Sequence, residues 1–271
     1  MFIQEEELQL FLNDLIDQYG YDFTEYSEAS LRRRVDLFMV RDNIPDMTTL
    51  RTLIFTNPDY FRHLVEEVTV NVTEMLRDPL FYKAIREEVI PVLASYPFIR
   101  IWHAGCSTGE EVYSMAILLK EAGILHKARL YATDINPGVL EKARDGIFPA
   151  SQMRKYSENY IQSGGKNDFS SYYTANYNLA KFDEKLSEKM TFATHNLVVD
   201  TSFNEFQLIV CRNTLIYFNK NLQSRVLELF DQSLELLGFL ALGSKESLQF
   251  SSVEFKFRQT VTEQKIWRKV K

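Results

Sequence analysis

The stretch IWHAGCSTGEEVYSMAILL, residues 101–119, contains the pattern that decides the fold. Its first part is apolar and ends in small residues, which is typical of a buried strand followed by a tight turn. Its second part has apolar residues at helical spacing. The turn resembles a nucleotide-binding loop, but it has neither the G-x-G-x-x-G pattern nor the lysine of a phosphate-binding loop. The stretch therefore predicts a strand, a ligand-binding turn and a helix.

The residues around this turn indicate the class of ligand. Glu110 and Glu111 stand where a pyrophosphate would lie and would repel it, whereas Ala104 and Gly105 let a ligand approach the backbone. The next strand ends at Asp134, whose carboxylate can accept hydrogen bonds from both hydroxyls of a ribose. S-adenosylmethionine (SAM), with an adenosine and a positively charged amino-acid end, fits this pattern. A NAD-type site remains the alternative on these residues alone.

The remainder of the chain predicts three regions. Residues 1–80 show only helical spacing and predict a small helical domain. Residues 81–271 alternate strands and helices, with a helix over 219–237 before a further strand, and predict a mainly parallel sheet with helices on both faces. Residues 150–189, polar and rich in tyrosine, interrupt this alternation and predict a small β insertion or a lid. A surface excursion with no role is the alternative.

Composition excludes several classes of protein. The chain has 271 residues, a net charge of −6 and two cysteines. The negative charge argues against a broad nucleic-acid-binding face. The sequence shows no apolar run long enough to insert in a membrane and no basic secretion signal, so we expect a cytoplasmic protein without structural disulfides. The four histidines show no metal-ligand spacing, and no metal is expected.

Four motifs resemble the chemotaxis receptor methyltransferase (CheR) family. They are NVTEMLRD at 71–78, AGCSTGEEVYS at 104–114, ATDINPGVLEKARDGIF at 132–148 and CRNTLIYF at 211–218. The resemblance covers nearly the whole chain. It implies a Rossmann-like class I methyltransferase fold with a seven-stranded sheet, and methylation of glutamate side chains on chemoreceptors with SAM as cofactor. Met75-Leu76 departs from the family, which usually has two phenylalanines there.

The resemblance also assigns roles to individual residues. Asn71, Thr73 and Arg77 would contact the cofactor from the segment that joins the two domains. Around the turn, Ala104 and Gly105 would approach the cofactor, Glu111 would face its methionine end and Asp134 its ribose. Asn196 and Leu197 would border the adenine, Cys211 and Arg212 would lie beside the cofactor, and Tyr217 would lie near the transferred methyl group.

Arg77 and Tyr217 are the candidate catalytic residues. A glutamate carboxylate is already an anion at neutral pH, so the reaction needs alignment and no general base. Arg77 can hold the carboxylate by two parallel hydrogen bonds, unless it only pairs with Asp78 or Glu74. Tyr217 can donate a hydrogen bond to the acceptor or pack against the sulfonium, unless it only belongs to an apolar cluster.

Other methyltransferase chemistries leave different patterns in the sequence. Methylation of base amino groups typically uses an Asn/Asp-Pro-Pro-aromatic turn, and the corresponding CRNT segment has no proline. Methylation of cytosine C5 needs a nucleophilic cysteine that is normally beside a proline, and Cys211 lacks that neighbour. Cys106 and Cys211 are interpreted as small apolar residues that line the crevice.

A basic segment, LRRRVDLFMVRD, lies in the predicted helical domain. Helical spacing predicts that Arg33, Arg34 and Arg41 project from one face. In the CheR family, which the chain resembles, a basic helix of this domain docks on the cytoplasmic helical bundle of the receptor. The alternative is a solvated face.

The sequence as a whole predicts a protein-glutamate O-methyltransferase that acts on chemoreceptors. The sequence leaves two alternatives open. One is a carboxyl methyltransferase that acts on another protein. The other is a cofactor-binding regulator without turnover.

Overall fold

The structure, a computed structural model, describes residues 3–69 and 73–271. It consists of an N-terminal helical domain and an α/β domain that carries a small insertion. Asn71, one of the predicted cofactor-binding residues, lies outside the described residues.

The N-terminal domain is built from four amphipathic helices. Their apolar faces, with Phe11, Leu50 and Leu64 among the buried side chains, form one hydrophobic core. Asp46 and Asn57 cap two of the helices by accepting hydrogen bonds from backbone amides in the first turn. The helices are α1 (Glu5–Tyr19), α2 (Glu28–Arg41), α3 (Met47–Thr56) and α4 (Pro58–Val68).

The α/β domain is centred on a seven-stranded sheet, as expected. Five neighbouring strands run parallel in the order β6-β2-β1-β7-β8, and β10 then pairs antiparallel with both β8 and β9 at the other edge. The parallel strands place the carboxyl ends of β1, β2 and β7 side by side. The strands are β1 (Ile99–Ala104), β2 (Ala128–Asp134), β6 (Met190–Thr194), β7 (Phe206–Cys211), β8 (Leu234–Leu242), β9 (Phe257–Val261) and β10 (Ile266–Lys269).

Helices cover both faces of this sheet. A helical segment before β1 contains a π-helical turn at Ile85–Val89, and α7 follows the turn that was predicted to bind a ligand. Met75 and Leu76 are fully buried in the core of this domain. The helices are α5 (Pro79–Ala84), α6 (Ile90–Leu93), α7 (Glu110–Glu121), α8 (Pro137–Asp145), α9 (Met153–Gln162), α10 (Glu184–Ser187) and α11 (Lys220–Ser233).

The insertion is a small β structure. Helix α9 is followed by a hairpin, and three short strands, β3 (Ile147–Pro149), β4 (Tyr173–Asn176) and β5 (Leu179–Phe182), form an antiparallel sheet in the order β3-β5-β4. The predicted β insertion is therefore present, and its sheet begins three residues before position 150.

One predicted element has the wrong boundary. The helix expected over 219–237 ends at Ser233, and β8 begins at Leu234. The helix ends there because Leu234 lies opposite Phe206 of β7 and belongs to the sheet. The helical spacing of leucines continues beyond this point in the sequence, but the residues that show it form a strand. Among the described residues, no helix has the length and apolar character needed to cross a bilayer.

Candidate functional site

A deep cleft lies at the carboxyl ends of β1, β2 and β7, and residues of the N-terminal domain close its other side. It encloses about 1160 Å³, including the part open to solvent. Such a position is where parallel α/β sheets bind ligands. The predicted residues that line it are Thr73, Arg77, Gly105, Glu111, Asp134, Asn196, Leu197, Arg212 and Tyr217.

The turn after β1 requires glycine at position 105. Gly105 has a φ of +76°, and a Cβ atom there would overlap the side chain of Thr214 on the neighbouring turn after β7. The amides of Gly105 and Cys106 both donate to the carbonyl oxygen of Thr133, at 2.8 and 2.9 Å. The turn is thus held against the end of β2, and its backbone is left close to the cleft.

The carboxylate of Asp134 lies at the end of β2 and binds two loops. Its Oδ2 accepts a hydrogen bond from the amide of Ser107 at 2.9 Å, and its Oδ1 accepts one from the amide of Asn136 at 3.0 Å. Burial raises the pKa of this carboxyl, while the backbone hydrogen bonds oppose that rise. Each carboxylate oxygen has a second lone pair, so Asp134 can still accept hydrogen bonds from a ligand in the cleft.

Glu111 lies at the start of α7 and contacts two basic side chains. Its Oε1 lies 2.9 Å from Nδ1 of the buried His103, and its Oε2 lies 3.7 Å from Nη1 of Arg212. Glu111 and Asp134 thus place two carboxylates in this part of the cleft, with the guanidinium of Arg212 beside Glu111. These two carboxylates can accept hydrogen bonds from the amino and hydroxyl groups of a ligand.

Arg212, directly after β7, holds the segment that carries Arg77. Its Nη2 donates to Asp78 at 2.5 Å, its Nη1 donates to the carbonyl of Arg77 at 3.3 Å, and its guanidinium carbon lies 4.0 Å from the centre of the Phe81 ring. The side chain is only 3% exposed. Asp78 therefore has Arg212 as its ion-pair partner.

The segment before α5 is also fixed by contacts from α7 and from the insertion. The amide of Leu76 donates to the hydroxyl of Ser114 in α7 at 2.9 Å, and the side-chain amide of Asn159 in the insertion donates to the carbonyl of Met75 at 3.0 Å. Leu76 and Asp78 both have positive φ angles, of 52° and 57°. Tertiary contacts thus hold a strained backbone that presents Arg77 to the cleft.

The turn after β7 carries Tyr217 and is organised by a residue that the sequence reasoning missed. Glu246 is buried, and its carboxylate accepts hydrogen bonds from the amides of Asn213, Thr214 and Leu215 at 3.1, 2.9 and 2.8 Å. It also accepts one from Gly243 at 2.6 Å. Burial raises the pKa of Glu246, and these four hydrogen bonds oppose that rise.

The three arginines of the predicted basic face of α2 differ in exposure and in their contacts. Arg33 is exposed, and Arg41 is exposed and forms ion pairs with Glu67 and Asp42. Arg34 is half-buried, its guanidinium lies over the ring of Tyr217, and its Nη1 donates to the carbonyl of Val68. Arg34 is therefore less exposed than Arg33 and Arg41, and the docking role of the three arginines stays a prediction.

The remaining predicted residues occupy two kinds of position. Asn196 and Leu197 line the cleft after β6, and the Oδ1 of Asn196 accepts a hydrogen bond from the amide of Val198 at 2.9 Å. Ala104 and Cys211 are buried at the ends of β1 and β7, below the residues that line the cleft. Cys106 lines the cleft, and burial raises the pKa of its thiol.

Two sequence-profile comparisons match almost the whole chain. The CheR methyltransferase SAM binding domain matches residues 71–265, and the CheR methyltransferase all-alpha domain matches residues 6–69. The chain belongs to the CheR methyltransferase family. It is therefore a SAM-dependent methyltransferase.

Three relatives illustrate the range of similarity within the family. Cher3 of Pseudomonas putida, a protein named only provisionally as a methyltransferase, is 47% identical over 263 residues, which cover 97% of this chain and 96% of Cher3. A chemotaxis protein methyltransferase of Listeria monocytogenes is 28% identical and covers 84% of this chain and 85% of its own. That of Salmonella typhimurium is 31% identical over 76% of this chain and 70% of its own.

Several residues that line the CheR cleft were not found by sequence reasoning. Tyr26 comes from the N-terminal domain, Tyr82 from α5 and His195 from the turn after β6. His195 directly precedes the predicted residue Asn196, and Tyr82 lies four residues after Asp78 of the NVTEMLRD motif, so proximity to predicted site residues was an available signal. Nothing in the sequence near Tyr26 indicates a site. Among the described residues, no cluster of His, Cys, Asp and Glu has the composition of a metal site.

Proposed function

We propose that this CheR-family protein transfers a methyl group from SAM to glutamate side chains of chemoreceptors and forms glutamate methyl esters. The observation that carries this proposal is that Arg77 and Tyr217, from different parts of the chain, line the same cleft as Glu111 and Asp134. The cleft therefore contains a guanidinium that can bind an anion, a phenol, and two carboxylates. The names of the Listeria and Salmonella relatives associate them with chemotaxis.

The carboxylate side of the cleft fits SAM. Asp134 would accept hydrogen bonds from the ribose, Glu111 would face the amino-acid end, and Asn196 and Leu197 would border the adenine. Gly105 supports this assignment, because its lack of a Cβ leaves the first turn in close contact with Thr214 and open to the cleft. When bound, SAM supplies a methyl group activated by a sulfonium.

Arg77 and Tyr217 would bind and orient the acceptor. A glutamate carboxylate is ionised at neutral pH, so no residue has to remove a proton. The acceptor oxygen forms a bond to the methyl carbon while the carbon–sulfur bond breaks, and the negative and positive charges of the two reactants disappear together. Arg77 would lower the cost of removing the acceptor anion from water, and Tyr217 would donate a hydrogen bond or pack beside the sulfonium.

The proposed partner is the cytoplasmic helical bundle of a chemoreceptor, which places the reaction in the cytoplasm. Arg33, Arg34 and Arg41 of α2 are the candidates for contacts with acidic residues of that bundle, and Arg33 and Arg41 are the most exposed of the three. The domain boundary at residue 80 also remains a proposal. With this boundary, the domain formed by residues 1–80 would contact the receptor and the domain formed by residues 81–271 would carry out the methyl transfer.

The experiment that tests the proposal measures transfer of a tritiated methyl group from SAM to an isolated receptor. We expect base-labile label on the receptor, and loss of the label when the acceptor glutamates are replaced by alanine. Arg77→Ala should lower the turnover strongly while the affinity for S-adenosylhomocysteine changes less. Arg258→Ala, at an exposed position of β9, is the matched control and should retain full turnover.

Other outcomes would contradict the proposal. Base-labile label on a different protein, with none on any receptor, would indicate a carboxyl methyltransferase of another specificity. Tight binding of S-adenosylhomocysteine without any methyl transfer would indicate a regulator. Near-normal turnover of a folded Arg77→Ala variant would show that Arg77 does not orient the acceptor carboxylate.

A further inference from the structure

Arg34 connects the N-terminal domain to the residue proposed to contact the acceptor. Its guanidinium carbon lies 4.8 Å from the centre of the Tyr217 ring, and its Nη1 donates a hydrogen bond to the carbonyl oxygen of Val68 at 2.9 Å. The side chain is half-buried. A cation at this distance from a phenol ring is attracted by the electron density on the ring face.

The backbone around Tyr217 is held by the same domain. The amide of Ser27 donates to the carbonyl of Tyr217 at 2.7 Å, and the amide of Asn219 donates to the carbonyl of Glu25 at 2.8 Å. Between these bonds, Tyr26 pairs with Phe218 as an antiparallel bridge. These contacts fix the main chain at Tyr217. Its partly buried side chain also packs against the apolar core beside β7, and Arg34 lies over the ring.

The second partner of Arg34 is the carbonyl of Val68, at the end of α4. Val68 is the last residue of α4, and the carbonyls in the last turn of a helix have no partner within the helix. The chain that leaves this turn leads to Thr73 and Arg77, which line the cleft. One guanidinium therefore contacts both the end of the helix that precedes Arg77 and the ring of Tyr217.

We propose that Arg34 is a positioning residue that fixes the ring of Tyr217 in the cleft, so that the N-terminal domain completes the acceptor side of the site. The proposal rests on the proposed function only in that Tyr217 is taken to act on the acceptor. Arginine suits this task because its planar group can stack on the ring while an edge nitrogen donates to Val68. The ammonium of a lysine keeps the charge but cannot stack in this way.

The enzymatic test is a double-mutant cycle on methyl transfer by the full chain. Arg34→Ala should lower kcat about tenfold, while the affinity for S-adenosylhomocysteine stays within about twofold. Arg34→Lys should recover little of the loss. In the Tyr217→Ala background, Arg34→Ala should lower kcat no further, because the group through which it acts is gone. Arg32→Ala, two residues away on α2, is the matched control and should behave as wild type.

Two outcomes of this cycle would overturn the proposal. One is an equal loss of kcat from Arg34→Ala in the wild-type and Tyr217→Ala backgrounds, which would show that Arg34 acts independently of the ring. The other is wild-type kcat in Arg34→Ala, which would show that the contacts of the main chain suffice to hold Tyr217.

A measurement without substrate separates this proposal from the proposed function. The chain labelled with 3-fluorotyrosine should give a fluorine resonance for Tyr217 that is identified by its loss in Tyr217→Phe. That resonance should shift or broaden in Arg34→Ala and stay unchanged in Arg32→Ala. If the wild-type protein does not methylate receptors, the proposed function fails while this measurement still decides the role of Arg34. An unchanged resonance in Arg34→Ala would overturn it.

Discussion

Asp134 and Ser107 are joined by a hydrogen bond of 2.9 Å from the backbone amide of Ser107 to Oδ2 of the carboxylate. The bond links the end of β2 to the turn after β1, and the second oxygen of Asp134 links the same point to Asn136. A ligand that binds Asp134 therefore meets a carboxylate that is already oriented by the backbone. Oriented acceptors lose little freedom on binding, which favours affinity.

Replacement of Asp134 is expected to weaken binding of SAM. Asp134→Ala removes the proposed acceptor of the ribose hydroxyls and leaves the amide of Ser107 without its partner, so the affinity for S-adenosylhomocysteine should fall by roughly 1–3 kcal/mol. Calorimetric titration measures this change. Asp168→Ala, which replaces an exposed aspartate of the insertion, is the control. Equal affinities of the two variants would show that Asp134 does not bind the cofactor.

A methyl group at position 105 is expected to disrupt the site. Gly105→Ala adds both an unfavourable positive φ and an overlap with Thr214. Gly123→Ala is the matched control, because Gly123 has a similar φ of +71° and nothing within 4 Å of the added atom. The control should lose about 1–2 kcal/mol of stability from the backbone alone. Gly105→Ala should lose more and should also lose affinity for S-adenosylhomocysteine, as denaturant titration and calorimetry will show.

Replacement of Glu246 is expected to disturb the turn that carries Tyr217. Glu246→Gln keeps the size of the side chain but turns an NH₂ group toward backbone amides that need an acceptor, so the protein should lose about 1–3 kcal/mol of stability. The turnover should fall as well, since the amides from Asn213 to Leu215 define this turn. Glu254→Gln, at an exposed residue that accepts from one amide, should have little effect on either quantity.

The buried carboxyl of Glu110 is expected to make stability depend on pH. Burial raises its pKa in the folded protein, so its ionised form costs stability at neutral pH, and this cost disappears as the pH falls toward the ordinary pKa of glutamate. Glu110→Gln removes the ionised form and should raise the urea midpoint at neutral pH, with a smaller gain at about pH 5.

Glu184 provides the opposite case for the same measurement. Its contact with Lys181 lowers the pKa of Glu184, so Glu184→Gln should not raise the midpoint at neutral pH. A midpoint for Glu110→Gln that is below wild type at neutral pH would contradict the sign of the effect at Glu110.

Charge reversal on α2 is expected to affect the receptor and not the cofactor. Arg33→Glu with Arg41→Glu should raise the KM for receptor and reduce the dependence of the rate on salt, because charges at the edge of an interface mainly change association. The affinity for S-adenosylhomocysteine should not change. Wild-type receptor kinetics at low salt would show that these two arginines are only solvated.

Local sequence was sufficient for the fold class and for much of the cleft. Apolar runs that alternate with helical spacing predicted the parallel sheet, because strand and helix periodicity are properties of short segments. Gly105, Glu111 and Asp134 were identified since the ends of parallel strands meet at one edge, so a turn after one strand and an acid after the next must lie close together.

Residues that act across long distances in the sequence were decided only by the tertiary structure. Glu246 binds a turn more than thirty positions earlier, and the guanidinium of Arg34 lies over the ring of Tyr217, a contact that the sequence did not indicate. Helical spacing gives the direction of a side chain around its own helix, but not what packs against that helix. The partner of Arg34 depends on how the two domains pack together, and no periodicity within α2 encodes that packing.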